Sequence, residues 1–252
     1  VITLWLLVFV QKKNYRISSK DIFKIFGIGA IAALHWLTFY GSIKYANVSI
    51  GLVCFSAVGF FTAFLEPLIF RVKIDLIELL LGLMTIVGIY FIFHFDPTYK
   101  TGIIVGLISA LLGSLFPILN KAVLKKVSSE SVTLYELSGG FIFLSLLLPL
   151  YLKLFPTDYL FPKLSDWMWL LLLSWACTVL AFNLSMKALQ KISAFTVNLS
   201  YNLEPIYGIL LAFAVLGENK YLNKGFYIGF VFIIIAIVAQ MLRLWNNRRL
   251  SK

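Results

Sequence analysis

The stretch Asn202-Leu203-Glu204-Pro205-Ile206 lies in the middle of the apolar segment Ser193–Leu216. This segment is long enough to cross a bilayer, which takes about 20 apolar residues. A carboxylate at that depth is costly, and by default it marks a pathway for a substrate or an ion. Proline frees the carbonyl of Tyr201, which in hydrocarbon needs a partner in protein or in trapped water. The pentapeptide therefore indicates a polytopic membrane transporter.

The composition is that of a membrane protein. Of the 252 residues, 61% are hydrophobic and 13% are charged, and the mean hydropathy is +0.93. A soluble domain carries about 25% charged residues. The net charge of +11 suits cytoplasmic loops, which collect Lys and Arg. No basic stretch carries the aromatic residues that stack on nucleic acid. The expected partners are therefore the lipid bilayer and a small-molecule solute, and no nucleic acid.

Eight apolar segments are long enough to span a bilayer, whereas Val1–Val10 is too short. The eight are Ile22–Tyr45, Ile50–Phe70, Leu76–His94, Gly102–Leu124, Val132–Leu152, Trp167–Met186, Ser193–Leu216 and Gly225–Leu242. With the loop Gln11–Lys20 in the cytoplasm, 16 Lys and Arg residues fall on the cytoplasmic side and 6 on the other. This bias predicts an integral multi-pass membrane protein with a cytoplasmic C-terminus and a basic tail at 244–252.

The positions of the turns recur at a shift of about 145 residues, as expected of an internal repeat. Lys44–Ser49 matches Gln190–Phe195, and Arg71–Leu76 matches Gly217–Leu222. Each copy would hold five spans, and an odd number makes the two copies opposite in orientation, as in many secondary transporters. Because the shift aligns Val1 with the middle of a span, we expect about 45 further residues upstream, with one span and half of another.

The penultimate span contains Leu203-Glu204-Pro205 and ends in Leu216-Gly217-Glu218, and the first repeat carries Phe64-Leu65-Glu66-Pro67 before Arg71-Val72-Lys73. These motifs resemble the drug/metabolite transporter superfamily, in particular its EamA branch. The resemblance implies an all-α, ten-helix inverted-repeat fold with an incomplete first repeat at 1–95 and a second at 101–243. It also implies a small organic solute, such as an amino acid or an amphipathic metabolite. Such solutes are often exported across a bacterial cell membrane through a central cavity.

Glu204 lies roughly 18 Å along its helix, near the bilayer midplane. Two interpretations stay open for it. It is a proton carrier or partner of a substrate amine, or it is a buried carboxyl that organises the kink at Pro205. Desolvation would favour the protonated form, as proton coupling requires. The other candidates for contact with solute or protons are Tyr201, Asn198, His35, Trp36 and Asn183. A lone His or Trp on an apolar helix is more often a packing residue, and Asn183 could equally bond a neighbouring helix.

A second group of polar residues lies near the cytoplasmic ends of the predicted spans. Lys121 and Glu136 occupy consecutive antiparallel spans, and Glu66 lies at the same level in another. An ion pair there would lock a cytoplasmic gate, although a static pair or a snorkelling lysine is the favoured alternative. Gly102-xxx-Gly106 and Gly225-xxx-Gly229 permit close helix contact. Internal packing is favoured for them over a homodimer, which stays open.

Two rival classes remain. An intramembrane enzyme needs a nucleophile with its base or a set of metal ligands, but the sequence has no HExxH or GxSxG motif and only two histidines, His35 and His94. Neither Cys nor His spacing indicates a metal or disulfide site, and no cofactor is expected. A non-catalytic membrane subunit has little need for a midplane Glu-Pro. No Arg lies near a span centre, which disfavours phosphorylated solutes.

The charge bias predicts a labelling pattern. Single cysteines at Asn14 and Asn246, introduced after replacement of Cys54 and Cys177, should be shielded from an impermeant thiol reagent in intact cells. A single cysteine at Thr157 should react. Labelling at Asn14 without labelling at Thr157 would overturn the orientation.

Overall fold

The computed structural model describes residues 1–11, 15, 17–95, 97–157, 161–192, 197 and 203–250, and every regular element among them is helical. The α-helices are α1 (Ile2–Gln11), α2 (Ser19–Tyr45), α3 (Val48–Phe55), α4 (Val58–Phe70), α5 (Leu76–Phe95), α6 (Lys100–Val123), α7 (Ser129–Leu154), α8 (Trp167–Ser174), α9 (Ala181–Leu189), α10 (Glu204–Leu211) and α11 (Lys224–Leu250). Two π-helical turns, Trp175–Leu180 and Ala212–Leu216, follow α8 and α10.

Seven helical stretches of the described chain are long and apolar enough to cross a membrane. They are Ser19–Tyr45, Val48–Phe70, Leu76–His94, Lys100–Val123, Ser129–Leu154, Leu164–Leu189 and Lys224–Arg243. Each corresponds to one of the eight predicted segments. The remaining segment, Ser193–Leu216, is described as a continuous stretch only from Leu203, and its helical part Glu204–Leu216 is shorter. The prediction of an all-α polytopic membrane protein is confirmed.

The chain divides into two compact units. The first unit comprises Val1–Ala33 and Leu119–Ser193, and the second comprises Leu34–Ile118 and Ala194–Lys252. Two of the boundaries between them fall within α2 and α6. Each unit takes residues from both predicted repeats, 1–95 and 101–243, and the inverted repeat itself stays a prediction.

In the first unit, glycines allow α2 and α7 to approach closely. A Cβ added to Gly29 would lie 2.2 Å from the carbonyl oxygen of Glu136, and one added to Gly139 would lie 2.6 Å from the Cα of Phe26. Backbone atoms cannot yield to such contacts, so only glycine fits at these two positions. Small residues serve the same purpose at helix contacts within membranes, where close packing replaces the hydrophobic effect.

In the second unit, an apolar core forms around α3 and the antiparallel pair α5 and α11. Its fully buried members include Ile50, Val53, Ile92, Ile103, Ile209, Phe226 and Ile233. A Cβ at Gly88 would lie 2.6 Å from the carbonyl oxygen of Gly229, and one at Gly229 would lie 2.3 Å from that of Gly88. Gly102 and Gly106 likewise face Ala46 and Cys54 of the same unit. At these positions the glycine pattern serves internal packing.

Charged groups join one end of the α5–α11 pair. Arg243 donates a hydrogen bond to Asp75, which precedes α5, and its second amino group lies 3.9 Å from a carboxylate oxygen of Glu78. The bond from Arg243 is the main reason why the pKa of Asp75 is lowered from its ordinary value. The start of α5 and the end of α11 thus lie at the same end of the second unit, as an alternating topology requires.

The N-terminus of α3 is capped from a distant part of the chain. Oε1 of Glu218 accepts a hydrogen bond from the Val48 amide at 3.0 Å, and Oε2 accepts from the Ser49 amide at 2.8 Å and the Ser49 hydroxyl at 2.5 Å. The N-cap Asn47 accepts from the Ile50 amide at 2.8 Å. The first amides of a helix have no partner within it, and its N-terminus favours negative charge. The Glu218 carboxylate therefore ties α3 to the turn that follows Gly217.

Removal of this cap should weaken the fold. Hydrogen bonds to a charged group contribute about 1.5–3 kcal/mol, so we expect Glu218→Ala to lower the unfolding temperature in detergent by roughly 3–12 °C. Ser49→Ala, which removes only the hydroxyl donor, is the matched variant and should have a smaller effect. Equal melting temperatures for Glu218→Ala and the parent protein would show that the cap does not hold the helix.

Candidate functional site

A cavity of about 270 Å³ lies within the first unit. Helix α1 contributes Leu4 and Val8 to its wall, and Tyr15 follows that helix. The other lining residues are Glu130 and Leu134 of α7, Trp175, Val179 and Leu180 of the π-helical turn, and Asn183 of α9. The wall is thus mainly apolar and aromatic, with one carboxylate, one amide and one phenol. A mostly apolar cavity with a few polar groups is typical of a site for a small organic molecule.

The first turn of α7 positions the carboxylate of this cavity. Ser128 is the N-cap, and its hydroxyl accepts a hydrogen bond from the Ser131 amide at 3.2 Å. The hydroxyl of Ser129 donates to Glu130 at 3.1 Å, and the ammonium of Lys187 lies 3.5 Å from the same carboxylate. The side chains of Lys187 and Glu130 are 52% and 42% exposed. Glu130 of the cavity wall therefore lies beside an opposite charge, and both side chains are partly exposed.

The π-helical turn Trp175–Leu180 shapes the opposite part of the wall. A π-helical turn inserts one residue into a helix, and such turns are frequent at functional sites. The hydroxyl of Thr178 donates to the carbonyl of Leu173, five residues earlier, at 2.9 Å. The indole nitrogen of Trp175 donates to the Thr3 hydroxyl of α1 at 3.1 Å. This bond holds the Trp175 ring at the cavity.

Three of the candidate residues predicted from the sequence, Asn183, Lys121 and Glu136, belong to the first unit, and they have different surroundings. Asn183 lines the cavity. Lys121 and Glu136, for which an ion pair and a snorkelling lysine were both open, are not hydrogen-bonded to each other. The ammonium of Lys121 donates to the carbonyl oxygen of Ile192, and neither Glu136 oxygen has a hydrogen-bond partner among the described residues. A carbonyl after the end of α9 attracts a cation for the reason that helix C-termini do. The gate as such stays a prediction.

In the second unit, Glu204 and Pro205 begin α10. Glu204 is exposed and Pro205 is buried. Pro205 occupies the first turn of the described helix, where a missing amide donor costs no intrahelical bond. Tyr201 and Asn198, the predicted companions of Glu204, lie outside the described residues. Trp36 is half-buried on α2.

His35 joins two helices of the second unit. Its Nδ1 lies 2.9 Å from both the hydroxyl and the carbonyl oxygen of Ser109 on α6, and the Ser109 hydroxyl also reaches the His35 carbonyl oxygen at 3.1 Å. The imidazole packs beside Phe55 and Phe116, with ring centroids 5.4 and 5.8 Å away. The side chain is buried. His35 thus has hydrogen-bond partners on a neighbouring helix, and its role in contact with solute or protons stays a prediction.

Glu66 lies in the last turns of α4, in the second unit. It is half-buried and close enough to Glu78 of α5 for the two carboxyl groups to repel each other. Its described neighbourhood within the second unit thus includes the charged end of α5 and α11. The role of Glu66 in a gate stays a prediction.

Sequence analysis did not identify two lining residues of the cavity, Glu130 and Trp175, or the neighbouring Lys187. Lys187 counted only toward the cytoplasmic charge bias, and Trp175 was only one residue of the predicted span Trp167–Met186. Nothing in Trp175–Leu180 signals a π-helical turn, because the stretch contains neither Gly nor Pro. The sequence offered one indication of the ion pair between Glu130 and Lys187, namely an acidic residue in the first turn of α7 and a lysine at the end of the next predicted span.

The chain belongs to the EamA-like transporter family, whose family model matches residues 100–241, more than half of its 252 residues. It is also similar to a protein described as "Crystal structure of protein", with a TM-score of 0.61 and 17% sequence identity. That likeness covers 90% of this chain and 77% of the other and concerns the fold alone. Among curated proteins, none matches.

Family and fold together define an integral, multi-pass membrane transporter of the drug/metabolite type. The resemblance drawn from Leu203-Glu204-Pro205 and Leu216-Gly217-Glu218 is confirmed. The matched residues nearly coincide with the predicted second repeat, 101–243. The family consists of transporters rather than enzymes.

Proposed function

We propose that this protein exports small zwitterionic or amphipathic metabolites, amino acids among them, by alternating access. The observation that carries the proposal is the cavity of the first unit, in which Glu130 and the neighbouring Lys187 present opposite charges beside an apolar and aromatic wall. A zwitterion carries the two charges that complement this pair. Its apolar part would lie against the aliphatic residues of the wall.

The ion pair can exchange its partners at little cost. Half-exposed ion pairs contribute only about 0–1 kcal/mol to stability. A solute ammonium can therefore replace Lys187 beside Glu130, while the released Lys187 binds the solute carboxylate. Trp175 and Tyr15 offer aromatic faces, which attract cations at short range.

The size of the cavity supports a small solute. Sites for drug-sized ligands have volumes of roughly 300–1,000 Å³, and this cavity has about 270 Å³. Its described wall contains no arginine, the residue that best recognises phosphate through paired hydrogen bonds. Both features favour amino-acid-sized solutes over nucleotide-sugars or sugar phosphates.

We assign coupling to a proton carried by Glu204. Its carboxyl lies at the start of α10, in the segment predicted to cross the membrane. An ionisable group in such a segment by default marks a pathway for a substrate or an ion. Alternating access would then arise from two inverted halves that rock about the site.

Binding of an amine should depend on Glu130. We expect Glu130→Gln to weaken binding of an amino acid ligand about tenfold or more, because a hydrogen bond to a charged group is lost. Lys187→Met should weaken the binding of amino acids but not the binding of simple amines. A thermal-shift screen of the purified protein with both ligand classes measures this, and exposed Asp166→Asn is the matched control. Equal ligand responses in Glu130→Gln and the parent protein would exclude this cavity as the binding site.

Proton coupling should depend on Glu204. Glu204→Gln keeps the size and much of the hydrogen bonding of the side chain but cannot titrate. We expect it to insert and fold, to lose solute flux driven by a proton gradient in proteoliposomes, and to retain solute exchange. Undiminished driven flux would make Glu204 a structural residue, with His35 as the next candidate.

A further inference from the structure

Two polar side chains are buried together in the first unit without hydrogen bonds. Glu136 of α7 is 1% exposed and Asn120 of α6 is fully buried. Both carboxyl oxygens and both amide atoms lack a hydrogen-bond partner among the described residues. Asn120 lies eight residues before the N-cap Ser128 and Glu136 eight residues after it, so the consecutive helices α6 and α7 bring the two side chains to the same level, close enough to interact. Buried polar groups in proteins are nearly always hydrogen-bonded, so these four atoms require an explanation.

No cation neutralises Glu136 within the described part of the chain. Among the lysines of the first unit, Lys121 donates to the Ile192 carbonyl and Lys187 pairs with Glu130. On the α2 side, the close contact is the backbone at Gly29. The charged groups of that helix in this unit, Lys20, Asp21 and Lys24, lie in its first two turns and are exposed or half-buried. On the α1 side, Trp5 contacts Tyr135 and donates to Ser138.

The position of Glu136 makes an ionised carboxylate unfavourable. The residue lies eight residues after Ser128, which is about 12 Å into α7. An isolated charge at such a place loses its hydration and gains nothing in return, and a buried group in this situation neutralises instead. A protonated carboxyl avoids the cost of the charge but still needs a donor and an acceptor.

The side-chain carboxamide of Asn120 supplies both the donor and the acceptor that a protonated Glu136 needs. A protonated carboxyl carries one O–H donor and a carbonyl acceptor, and a carboxamide carries an acceptor oxygen and an NH₂ donor. The two groups can form a ring of two hydrogen bonds, in which the Glu136 hydroxyl donates to Asn120 Oδ1 and Asn120 Nδ2 donates to the Glu136 carbonyl oxygen. An ionised Glu136 could accept only the second bond, and its charge would repel Oδ1.

We infer that Glu136 and Asn120 form a proton-binding site, in which Glu136 is protonated in this conformation and Asn120 recognises the acid form. Loss of the proton to water leaves a carboxylate that needs a cation. Lys121, the neighbour of Asn120 in sequence, is the nearest source once it leaves the Ile192 carbonyl. The ion pair predicted from the sequence would thus belong to the deprotonated state. The inference concerns protonation and can hold or fail independently of the solute and of Glu204.

Infrared difference spectroscopy on the full-length protein, titrated with acid and base, tests the inference. At neutral pH the parent protein should show the carbonyl stretch of a protonated carboxylic acid. Glu136→Gln should remove the component of this band that arises from Glu136. Asn120→Ala should shift the frequency of that component, because the hydrogen bonds to the acid are lost. Asp21→Asn, a surface carboxyl change on α2, should leave the band intact.

The stability of the same variants gives a second criterion. A glutamine amide also pairs with Asn120 through two hydrogen bonds, so Glu136→Gln should melt at the temperature of the parent protein or above it at neutral pH. A band of undiminished intensity in Glu136→Gln, or the absence of any such band in the parent protein, would overturn the inference. A clear fall in the melting temperature of Glu136→Gln would also overturn it, because it would show that the native side chain is needed as a charge.

Discussion

Hydrocarbon offers no hydrogen bond to a backbone amide or carbonyl, and the described structure follows from this constraint. Each regular element in the described part is helical, because a helix satisfies its own backbone. Helix ends are the exception, and side chains complete them. Glu218 supplies acceptors to the start of α3, and Lys121 supplies a donor to the carbonyl of Ile192 after α9. Glu218 and Lys121 thus place polar side chains where backbone groups lack partners within a helix.

The same constraint explains why three glutamates behave differently. Glu218 is buried but accepts three hydrogen bonds, so its negative charge is supported by donors. Glu130 is half-exposed and shares its charge with Lys187, so it can accept a new cationic partner. Glu136 is buried without a partner among the described residues, which favours the uncharged acid. One residue type thus serves as a helix cap, as a proposed ligand-binding group and as a proposed proton carrier, according to its surroundings.

Much of this could be predicted from the sequence. The lengths of the apolar segments and the positive-inside bias predicted the polytopic all-α class. Each segment must match the thickness of the bilayer and satisfy its own backbone hydrogen bonds, and both requirements can be read from one segment at a time. Seven of the eight predicted spans recur as membrane-length helices. The motifs around Glu204 and Glu218 predicted the family. The partner of His35, Ser109, lies 74 residues away and could not be named from the sequence.

The tertiary structure decided the partners of the polar side chains. The sequence alone paired Lys121 with Glu136 because their predicted spans are neighbours, whereas the structure turns Lys121 to Ile192 and places Glu136 beside Asn120. It also revealed the cavity, because the π-helical turn at Trp175 changes which side chains face α1 and α7. Periodicity determines which residues share a helix face, but the rotation and approach of each helix depend on contacts such as Gly29 with Glu136, which lie far apart in the chain. The sequence by itself therefore determined the class and its membrane-spanning segments, and only the packed helices determined which charges meet.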